Sequence, residues 1–173
     1  MTSDHSPTLL VFGGLPATGK TTVSRELATR LKATYLRVDA IEQALRRAGL
    51  PVGAMGYAIA NAIAAENLKL RRTVVADCVN PVLASRAGWR QTAVEHSTRI
   101  VEIELICSDP AIHRQRSEGR VADIGGHQLP SWEEIVNHHY EPWDREPLVL
   151  DTADSTLDDL VDQVERYVRR SID

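Results

Sequence analysis

Residues 13–22, with the sequence GGLPATGKTT, carry the clearest chemical signal in the chain. Gly14, Gly19, Lys20 and Thr21 fit the pattern G-x-x-x-x-G-K-[ST]. Glycines at this spacing let the main chain curl until consecutive N–H groups point at one anion, and the lysine adds a positive charge. The pattern predicts a loop that binds the phosphates of a nucleotide, with Lys20 reaching the β- and γ-phosphates.

The same loop predicts which groups contact the nucleotide and its metal ion. The hydroxyl of Thr21 is expected to bind Mg²⁺, and the helix that begins here adds the positive end of its dipole. The alternative is a glycine-rich turn that only links a strand to a helix, but the complete motif at such a junction favours the phosphate loop. The residues of this segment expected to contact the nucleotide are Gly14, Ala17, Thr18, Gly19, Lys20, Thr21 and Thr22.

Two aspartates that follow apolar runs are candidates for acid–base chemistry. Asp39 ends the run TYLRVD, and Asp77 ends the run TVVAD. Phosphoryl transfer to a hydroxyl needs a carboxylate that orients or deprotonates it, and Asp39 is predicted to do this, the alternative being the N-cap of the next helix. Asp77 is predicted to hold Mg²⁺ through water or to bind the acceptor with Asn80; the alternative is a turn with Asn80 and Pro81. Either aspartate can serve as the base at this stage.

Arginines outside the loop are candidates for binding an anionic acceptor. Arg86 lies one turn into the helix predicted after NPV and is expected to pair with such a group, the alternative being a solvated helix face. Arg46 and Arg47 are weaker candidates, because exposed arginines are common on amphipathic helices. The residues assigned to the acceptor are therefore Asp39, Asp77, Asn80 and Arg86.

Residues 114–131 combine three arginines with three glycines and show no strong apolar pattern. Arg116 and Arg120 share a helix face and are predicted to be catalytic arginines, which neutralise the charge that spreads over the γ-phosphate oxygens. Arg114 points elsewhere and is expected near the adenine or the phosphates. The glycines would let this segment hinge over the site as a lid; the alternative is a solvent-exposed helix and loop.

Five apolar runs alternate with helical patterns along the chain. Apolar strands that alternate with helices predict a parallel sheet covered on both sides, with ligands bound beyond the carboxyl ends of the strands. Ser108 or Asp109 before Pro110, and Ser131 with Glu134, predict two helix N-termini. The predicted strands are residues 8–14, 34–39, 73–81, 99–107 and 147–152.

Length and composition favour one globular domain, residues 1–173. The net charge of −4 argues against broad binding to nucleic acid, and no apolar run approaches the roughly 18 residues needed to span a bilayer. The polar start MTSDHSPT has no signal-peptide pattern. Cys78 and Cys107 lie in or beside apolar runs and are expected to be buried, reduced thiols, which favours the cytoplasm.

With the phosphate loop, Asp39, Asp77 and the arginine segment, the chain resembles small P-loop kinases over nearly its whole length. It is most similar to the bacterial predicted kinases of the AAA-type class, relatives of chloramphenicol phosphotransferase, zeta toxins, gluconate kinase and the kinase half of polynucleotide kinase. The resemblance implies a three-layer α/β P-loop NTPase fold, with a parallel five-stranded sheet in the order 2-3-1-4-5, and ATP with Mg²⁺ as donor. It also implies a hydroxyl acceptor and a base at the end of strand two, which matches Asp39 in YLRVDAI.

The expected function is ATP-dependent transfer of the γ-phosphate to a hydroxyl of a small metabolite or antibiotic, with Asp39 as base. Polynucleotide kinases carry an arginine three residues after that aspartate, and Glu42 stands there instead, which argues against a nucleic-acid acceptor. No N-K-x-D guanine motif is found, and the length leaves little room for a motor ATPase with its helical lid domain.

Two other functions stay open on the sequence. A nucleotide-binding switch or slow ATPase acting on a protein partner would need only the loop and Asp77, and its acceptor pocket around residues 49–61 would be closed. A nucleoside monophosphate kinase would need a base-specific acceptor pocket, for which the sequence has no motif.

Overall fold

Strand and helix alternate along the part of the chain that the computed structural model describes, residues 7–170. Residues 1–6, which hold most of the polar start predicted to lack a signal peptide, lie outside it, as do residues 171–173. The described elements in chain order are β1 (Thr8–Gly13), α1 (Lys20–Leu31), β2 (Thr34–Arg37), α2 (Val38–Arg47), α3 (Met55–Lys69), β3 (Val74–Asp77), α4 (Leu83–Glu95), β4 (Arg99–Ile106), α5 (Pro110–Glu118), α6 (Trp132–Val136), β5 (Leu148–Asp151) and α7 (Leu157–Arg170).

The strands form one parallel sheet in the order β2-β3-β1-β4-β5. Strand β1 lies at the centre, where Leu10 is in register with Val75 of β3 and Val101 of β4. Every residue of β1 is buried, because helices cover both faces of the sheet. The predicted fold class and strand order are confirmed.

Each face of the sheet has its own apolar core. On one face Phe12 and Leu105 pack with Leu27 of α1 and Val161 of α7. Burying a leucine or phenylalanine side chain of this kind stabilises the fold by about 1.5–3 kcal/mol. On the other face a second cluster joins β1 and β3 to α3 and α4, with Trp89 fully buried in it. None of the helices in residues 7–170 has the length and apolar character needed to cross a bilayer.

The chain turns from strand to helix earlier than predicted after β2. Strand β2 ends at Arg37, which occupies the N-cap position of α2, and Asp39 is already in the first turn of that helix. The alternative in which Asp39 caps the helix is therefore wrong. Strand β3 ends at Asp77, as the polar residues after TVVA suggested, rather than at Pro81.

Two predicted helix caps fix the ends of a segment that crosses the carboxyl edge of the sheet. The side chain of Asp109 accepts hydrogen bonds from the main chain at the start of α5, with Pro110 as the first helical residue. Ser131 and Glu134 form the predicted capping box at the start of α6. Residues 119–131 run between these two helices and are irregular along most of their length.

The turn from β1 into the phosphate loop depends on Gly14. Its φ is +129°, and a Cβ atom placed there would overlap the main-chain oxygen of Leu105 on β4. The N–H of Gly14 donates to the carbonyl oxygen of Val79 at 3.0 Å. Because the loop approaches two neighbouring strand ends so closely, only glycine fits at this position.

We expect Gly14→Ala to lower the free energy of unfolding by about 3 kcal/mol or more, because it combines a disfavoured φ with a clash against main chain. Gly49→Ala is the matched control, since Gly49 also has a positive φ (+70°) but nothing within 4 Å of its added Cβ. Its expected cost is about 1 kcal/mol. Urea denaturation measures both losses, and equal losses would contradict the account of Gly14.

Candidate functional site

The loop between β1 and α1 has the main-chain geometry of an anion-binding site. Gly14, Ala17 and Gly19 all have positive φ, at 129°, 64° and 96°. In the described part of the chain, the main-chain N–H groups of residues 17–21 donate to no protein acceptor. A ring of unpaired donors at the start of a helix is suited to phosphate oxygens.

Side chains from distant parts of the sequence hold this loop in shape. The hydroxyl of Thr152, just after β5, donates to the carbonyl oxygen of Thr18 at 2.9 Å. His113 of α5 donates from Nε2 to the carbonyl oxygen of Pro16 at 2.8 Å and packs edge-on against Trp132. Neither residue could be recognised from its sequence pattern, because neither contact is local.

Lys20 is buried at the floor of the site. Its ammonium group donates to the carbonyl oxygen of Leu15 at 2.6 Å, and the residue is only 7% exposed. Burial lowers the pKa of Lys20 to about 8, against the opposing effect of the nearby carboxylates Asp77 and Asp39. The lysine therefore lies where the motif predicted, within the electrostatic reach of both aspartates.

Thr21 and Asp77 lie side by side, as a shared metal site would need. The hydroxyl of Thr21 donates to Oδ2 of Asp77 at 2.8 Å, and the hydroxyl of Tyr35 donates to the same atom at 2.7 Å. Hydroxyl and carboxylate oxygens suit Mg²⁺, which usually completes its shell with phosphate oxygens and water. Residues 7–170 contain no group of three or more His, Cys, Asp or Glu that could hold a metal ion.

Arg37, which the sequence analysis missed, lies among three carboxylates at the edge of the sheet. It is almost fully buried, with Asp39 at 3.7 Å and Asp77 at 3.8 Å. Its shortest ion pair, at 2.8 Å, is with Asp123 of the crossing segment. Hydrogen bonding from Arg37 holds the pKa of Asp123 well below its usual range. This arginine links the acceptor side of the site to the segment above it.

The crossing segment, residues 119–131, is tied to α1 and α2 by charged groups. Asp123 also pairs with Arg25 at 2.8 Å, and Arg47 donates to the carbonyl oxygen of Gly125. Residues 114–118 of the predicted lid belong instead to the end of α5.

The three arginines of the predicted lid lie in different surroundings. Arg116 lines the cleft and donates to the hydroxyl and carbonyl oxygens of Thr152 at 2.7 and 2.8 Å. Arg120 also lines the cleft. Arg114 faces away, where it is mostly exposed and pairs with Glu118 at 2.7 Å. The predicted contact of Arg114 with the nucleotide is wrong, because its position on α5 turns it away from the cleft.

Arg86 was predicted to bind the acceptor, and the structure contradicts this. It is fully buried and does not line the cleft. Its guanidinium stacks over the ring of Trp143 at 4.1 Å. Its N–H groups donate to the main-chain oxygens of Asn80, Pro81, Glu141 and Pro142. Arg86 therefore joins the start of α4 to the segment before β5.

Asn80 is likewise absent from the cleft wall. The residue is fully buried, with φ at +54°, and its N–H donates to the hydroxyl of Tyr57 at 2.8 Å. A Cβ atom placed at Gly13 would meet Asn80 at 3.4 Å, so the asparagine packs behind the phosphate loop. Its side-chain amide has no partner among the described residues, and its position outside the cleft wall gives no support to the predicted contact with the acceptor.

The two thiols differ in burial. Cys78 is buried, as predicted, and donates from Sγ to the carbonyl oxygen of Phe12 at 3.2 Å, while burial raises its pKa. Cys107 is only partly buried, with its Sγ 3.6 Å from Arg116, so the prediction of full burial is wrong there. Both cysteines are free.

A cleft of about 760 Å³ brings most of the predicted site residues together. It runs from the phosphate loop to α2 and is roofed by α5 and the crossing segment. No part of residues 49–61, where the acceptor pocket was predicted, lines it. Two lining residues missed by sequence reasoning are Gln115 and His127. The predicted site residues that line it are Ala17, Gly19, Lys20, Thr21, Thr22, Asp39, Asp77, Arg116 and Arg120.

We expect Arg86→Lys to lower the free energy of unfolding by about 3 kcal/mol, because a lysine leaves buried carbonyl oxygens without donors. Arg72→Lys is the matched control, since Arg72 is exposed. Urea denaturation of both variants tests this. Unchanged stability of Arg86→Lys would contradict the structural role.

The lowered pKa of Lys20 predicts a pH dependence of nucleotide binding. The ammonium form is the one that attracts phosphate, so affinity for AMPPNP with Mg²⁺ should be constant below about pH 8 and fall by up to about tenfold per pH unit above it. Calorimetry between pH 6.5 and 9.5 measures this, with Lys20→Met as the control that should show no such step.

The lowered pKa of Lys20 has the opposite effect on the stability of the ligand-free protein: it weakens nucleotide binding at high pH but favours the folded state there. Between about pH 8 and 10.5 the unfolded chain keeps a proton on Lys20 that the folded chain has released, so the contribution of Lys20 to the free energy of unfolding should rise with pH. An affinity for AMPPNP that stays constant through pH 9.5 would contradict a lowered pKa for Lys20.

Solved structures with the same architecture include several kinases. A presumed kinase from Chloroflexus aurantiacus has a TM-score of 0.76 at 21% identity, over 97% of this chain and 99% of that one. APS kinase CysC of Mycobacterium tuberculosis, in complex with AMPPNP and APS, has a TM-score of 0.74 at 18% identity, over 95% and 98%. A gluconokinase from Sinorhizobium meliloti has a TM-score of 0.67 at 19% identity, over 96% and 94%. At these identities the likeness establishes the fold alone.

Sequence comparison gives the family. A search of the curated proteins finds no match. The AAA domain family matches residues 9–135, which contain the phosphate loop, both aspartates and the arginines of α5. These residues make up most of the chain and the greater part of the cleft. The chain therefore belongs to the AAA domain family.

Proposed function

We propose that this protein is an ATP-dependent kinase that transfers the γ-phosphate of ATP to a hydroxyl of a small molecule. The observation that carries the proposal is the cleft, whose wall brings Lys20 and the unpaired main-chain donors of the phosphate loop together with Asp39. A fold shared with APS kinase and a gluconokinase supports a small-molecule acceptor, and AMPPNP bound in the former supports ATP as donor.

The phosphate loop would hold the donor. The N–H groups of residues 17–21 and the ammonium of Lys20 would bind the phosphate oxygens, while Thr21 and Asp77 would hold Mg²⁺. ATP with Mg²⁺, when bound, supplies the phosphoryl group and neutralises part of its charge. Gly14 and Gly19 give the loop its curvature.

Asp39 is the better candidate for the base. Oδ2 of Asp77 already accepts hydrogen bonds from Thr21 and Tyr35. In the described residues Asp39 accepts no hydrogen bond from the protein, and its carboxylate is 3.7 Å from Arg37, which fixes its position. Asp39 is therefore available to accept a proton from an acceptor hydroxyl in the cleft.

Arg116 and Arg120 would stabilise the charge that develops on the transferred phosphoryl group. Arg116 is held in place by Thr152, which also braces the phosphate loop. We assign residues 119–131 as the lid of a single kinase domain, because this segment covers the cleft and is held mainly by polar contacts. Two free cysteines are typical of a cytoplasmic protein, and we propose that compartment.

A nucleotide-dependent switch acting on a protein partner is less well supported. Residues 49–61 do not line the cleft, as a switch would allow, but the cleft beside Lys20 is open and also includes Asp39 and residues of the crossing segment. This open space favours a small molecule as the acceptor over a protein partner.

We expect Asp39→Asn to reduce acceptor-dependent ADP release by about 10²- to 10⁴-fold, because the amide cannot take the hydroxyl proton. Binding of AMPPNP with Mg²⁺ should be retained, since Asp39 does not belong to the phosphate loop. The measurement is an ADP-release screen over a metabolite and antibiotic library, with Lys20→Ala as the blank.

Asp162→Asn is the matched control for this experiment, because Asp162 is an exposed carboxylate on α7 that pairs with Arg30. It should leave transfer unchanged. Full transfer activity in Asp39→Asn would show that another group is the base, and failure of the wild-type protein to bind AMPPNP would overturn the kinase proposal itself.

A further inference from the structure

A second cavity, of about 500 Å³, opens beside the cleft between α2 and the crossing segment. His127 lines both cavities, so the second one adjoins the first. It contains two arginines and two glutamines, and within the described residues no carboxylate lines it. The residues that line it are Gln43, Arg46, Arg47, Gly126, His127 and Gln128.

Gln43 is the strongest sign that this cavity takes a ligand. It is 7% exposed, and in the described part of the chain its side-chain amide makes no hydrogen bond. Gln43 is not among the buried side chains whose polar atoms are sealed off without a partner, so its amide opens into the cavity, where water or a ligand supplies the partner that such groups nearly always have. Both the donor and the acceptor atoms of this amide are available.

Most N–H donors of the two arginines make no hydrogen bond within the described residues. Arg47 pairs with no carboxylate in residues 7–170 and gives one N–H to the carbonyl oxygen of Gly125. Arg46 pairs at 3.2 Å with Glu42, which packs against Gly56 of α3 on the far side. Each guanidinium has five N–H donors, and such donors suit carboxylate, sulfate and phosphate groups.

Helix α2 places these groups in line with Asp39. Gln43 follows Asp39 by four residues and Arg47 by eight, so all three lie on one helix face. A rise of 1.5 Å per residue puts Arg47 roughly 12 Å along the axis from Asp39. The helix therefore leads from the proposed base to a positively charged cavity within the length of a small metabolite.

We propose that the acceptor carries an anionic group, a carboxylate, sulfate or phosphate, that binds between Gln43, Arg46 and Arg47. This inference rests on the proposed kinase function. The acceptor then has its reacting hydroxyl at Asp39 and its anionic end roughly 6–12 Å further along α2, as in a sugar acid or a sugar phosphate. The second cavity selects the acceptor by charge, whereas the phosphate loop serves the nucleotide.

The test uses the full chain saturated with AMPPNP and Mg²⁺, so that added anions cannot occupy the phosphate loop. Thermal unfolding is followed while inorganic sulfate, inorganic phosphate or acetate replaces chloride at constant ionic strength. We expect saturable stabilisation by at least one of these anions, and the ranking of sulfate and phosphate against acetate distinguishes the sources. Arg47→Gln should weaken the apparent affinity by about tenfold.

Two further variants make the result specific. Gln43→Leu keeps the volume of the side chain but removes its amide, and it should also weaken anion binding without touching the contact between Arg47 and Gly125. Arg166→Gln removes an exposed arginine from α7 and should leave anion binding unchanged. An anion effect that is absent, or equal in wild type, Arg47→Gln and Gln43→Leu, overturns the inference.

Enzyme kinetics give an independent readout. Among sugars and the corresponding sugar acids and phosphates, only the anionic compounds should be phosphorylated, and Arg47→Gln should raise their KM with little change in kcat. Equal turnover of neutral acceptors would overturn the anion site and leave the kinase function intact. Failure of AMPPNP to bind in the first step would overturn the kinase function, and this inference with it.

Discussion

Two buried cations at the carboxyl edge of the sheet determine how the rest of the site is arranged. Lys20 and Arg37 are each less than a tenth exposed, and an unpaired charge in such a place costs several kcal/mol. Asp39 and Asp77 compensate both cations, and Asp123 gives Arg37 its closest ion pair. The phosphate loop, helix α2 and the crossing segment are thus held together by one network of charges.

That network is not fully satisfied within the protein. Nε and Nη2 of Arg37 are buried and have no hydrogen-bond partner in the described residues, and they face Asp77 and Asp39 at 3.8 and 3.7 Å. These separations are a few tenths of an ångström too long for hydrogen bonds. A small displacement of either carboxylate towards Arg37 would complete them. The same two aspartates line the cleft, so a ligand that moved either one would act directly on the contact with Arg37.

The features that could be predicted from the sequence are those that depend on local pattern. The glycine spacing around Lys20 and the apolar runs of the strands each determine their own conformation, so the loop and the parallel sheet followed from them, whereas the strand order came from the resemblance to P-loop kinases. The prediction that Arg86 binds the acceptor failed because its contacts come from Trp143 and the residues before it, more than 50 positions away in the sequence. Arg37 was missed for a similar reason, because its role depends on the ion pair with Asp123, which is distant in the sequence.

Two neighbouring helices supply the groups proposed to bind the phosphates and the groups proposed to bind the acceptor. In the proposed function, the start of α1 provides the donors for phosphate, while α2 provides the base and, one and two turns later, the groups that bind the acceptor. Arg46 and Arg47 lie at the surface and outside both core clusters, so changing them alters the charge of the acceptor cavity with little effect on folding. Gln43 is buried at the junction, one turn from Asp39, so its amide can orient an acceptor while the carboxylate takes the proton. Substitutions on α2 can therefore change which acceptor binds without disturbing the phosphate loop.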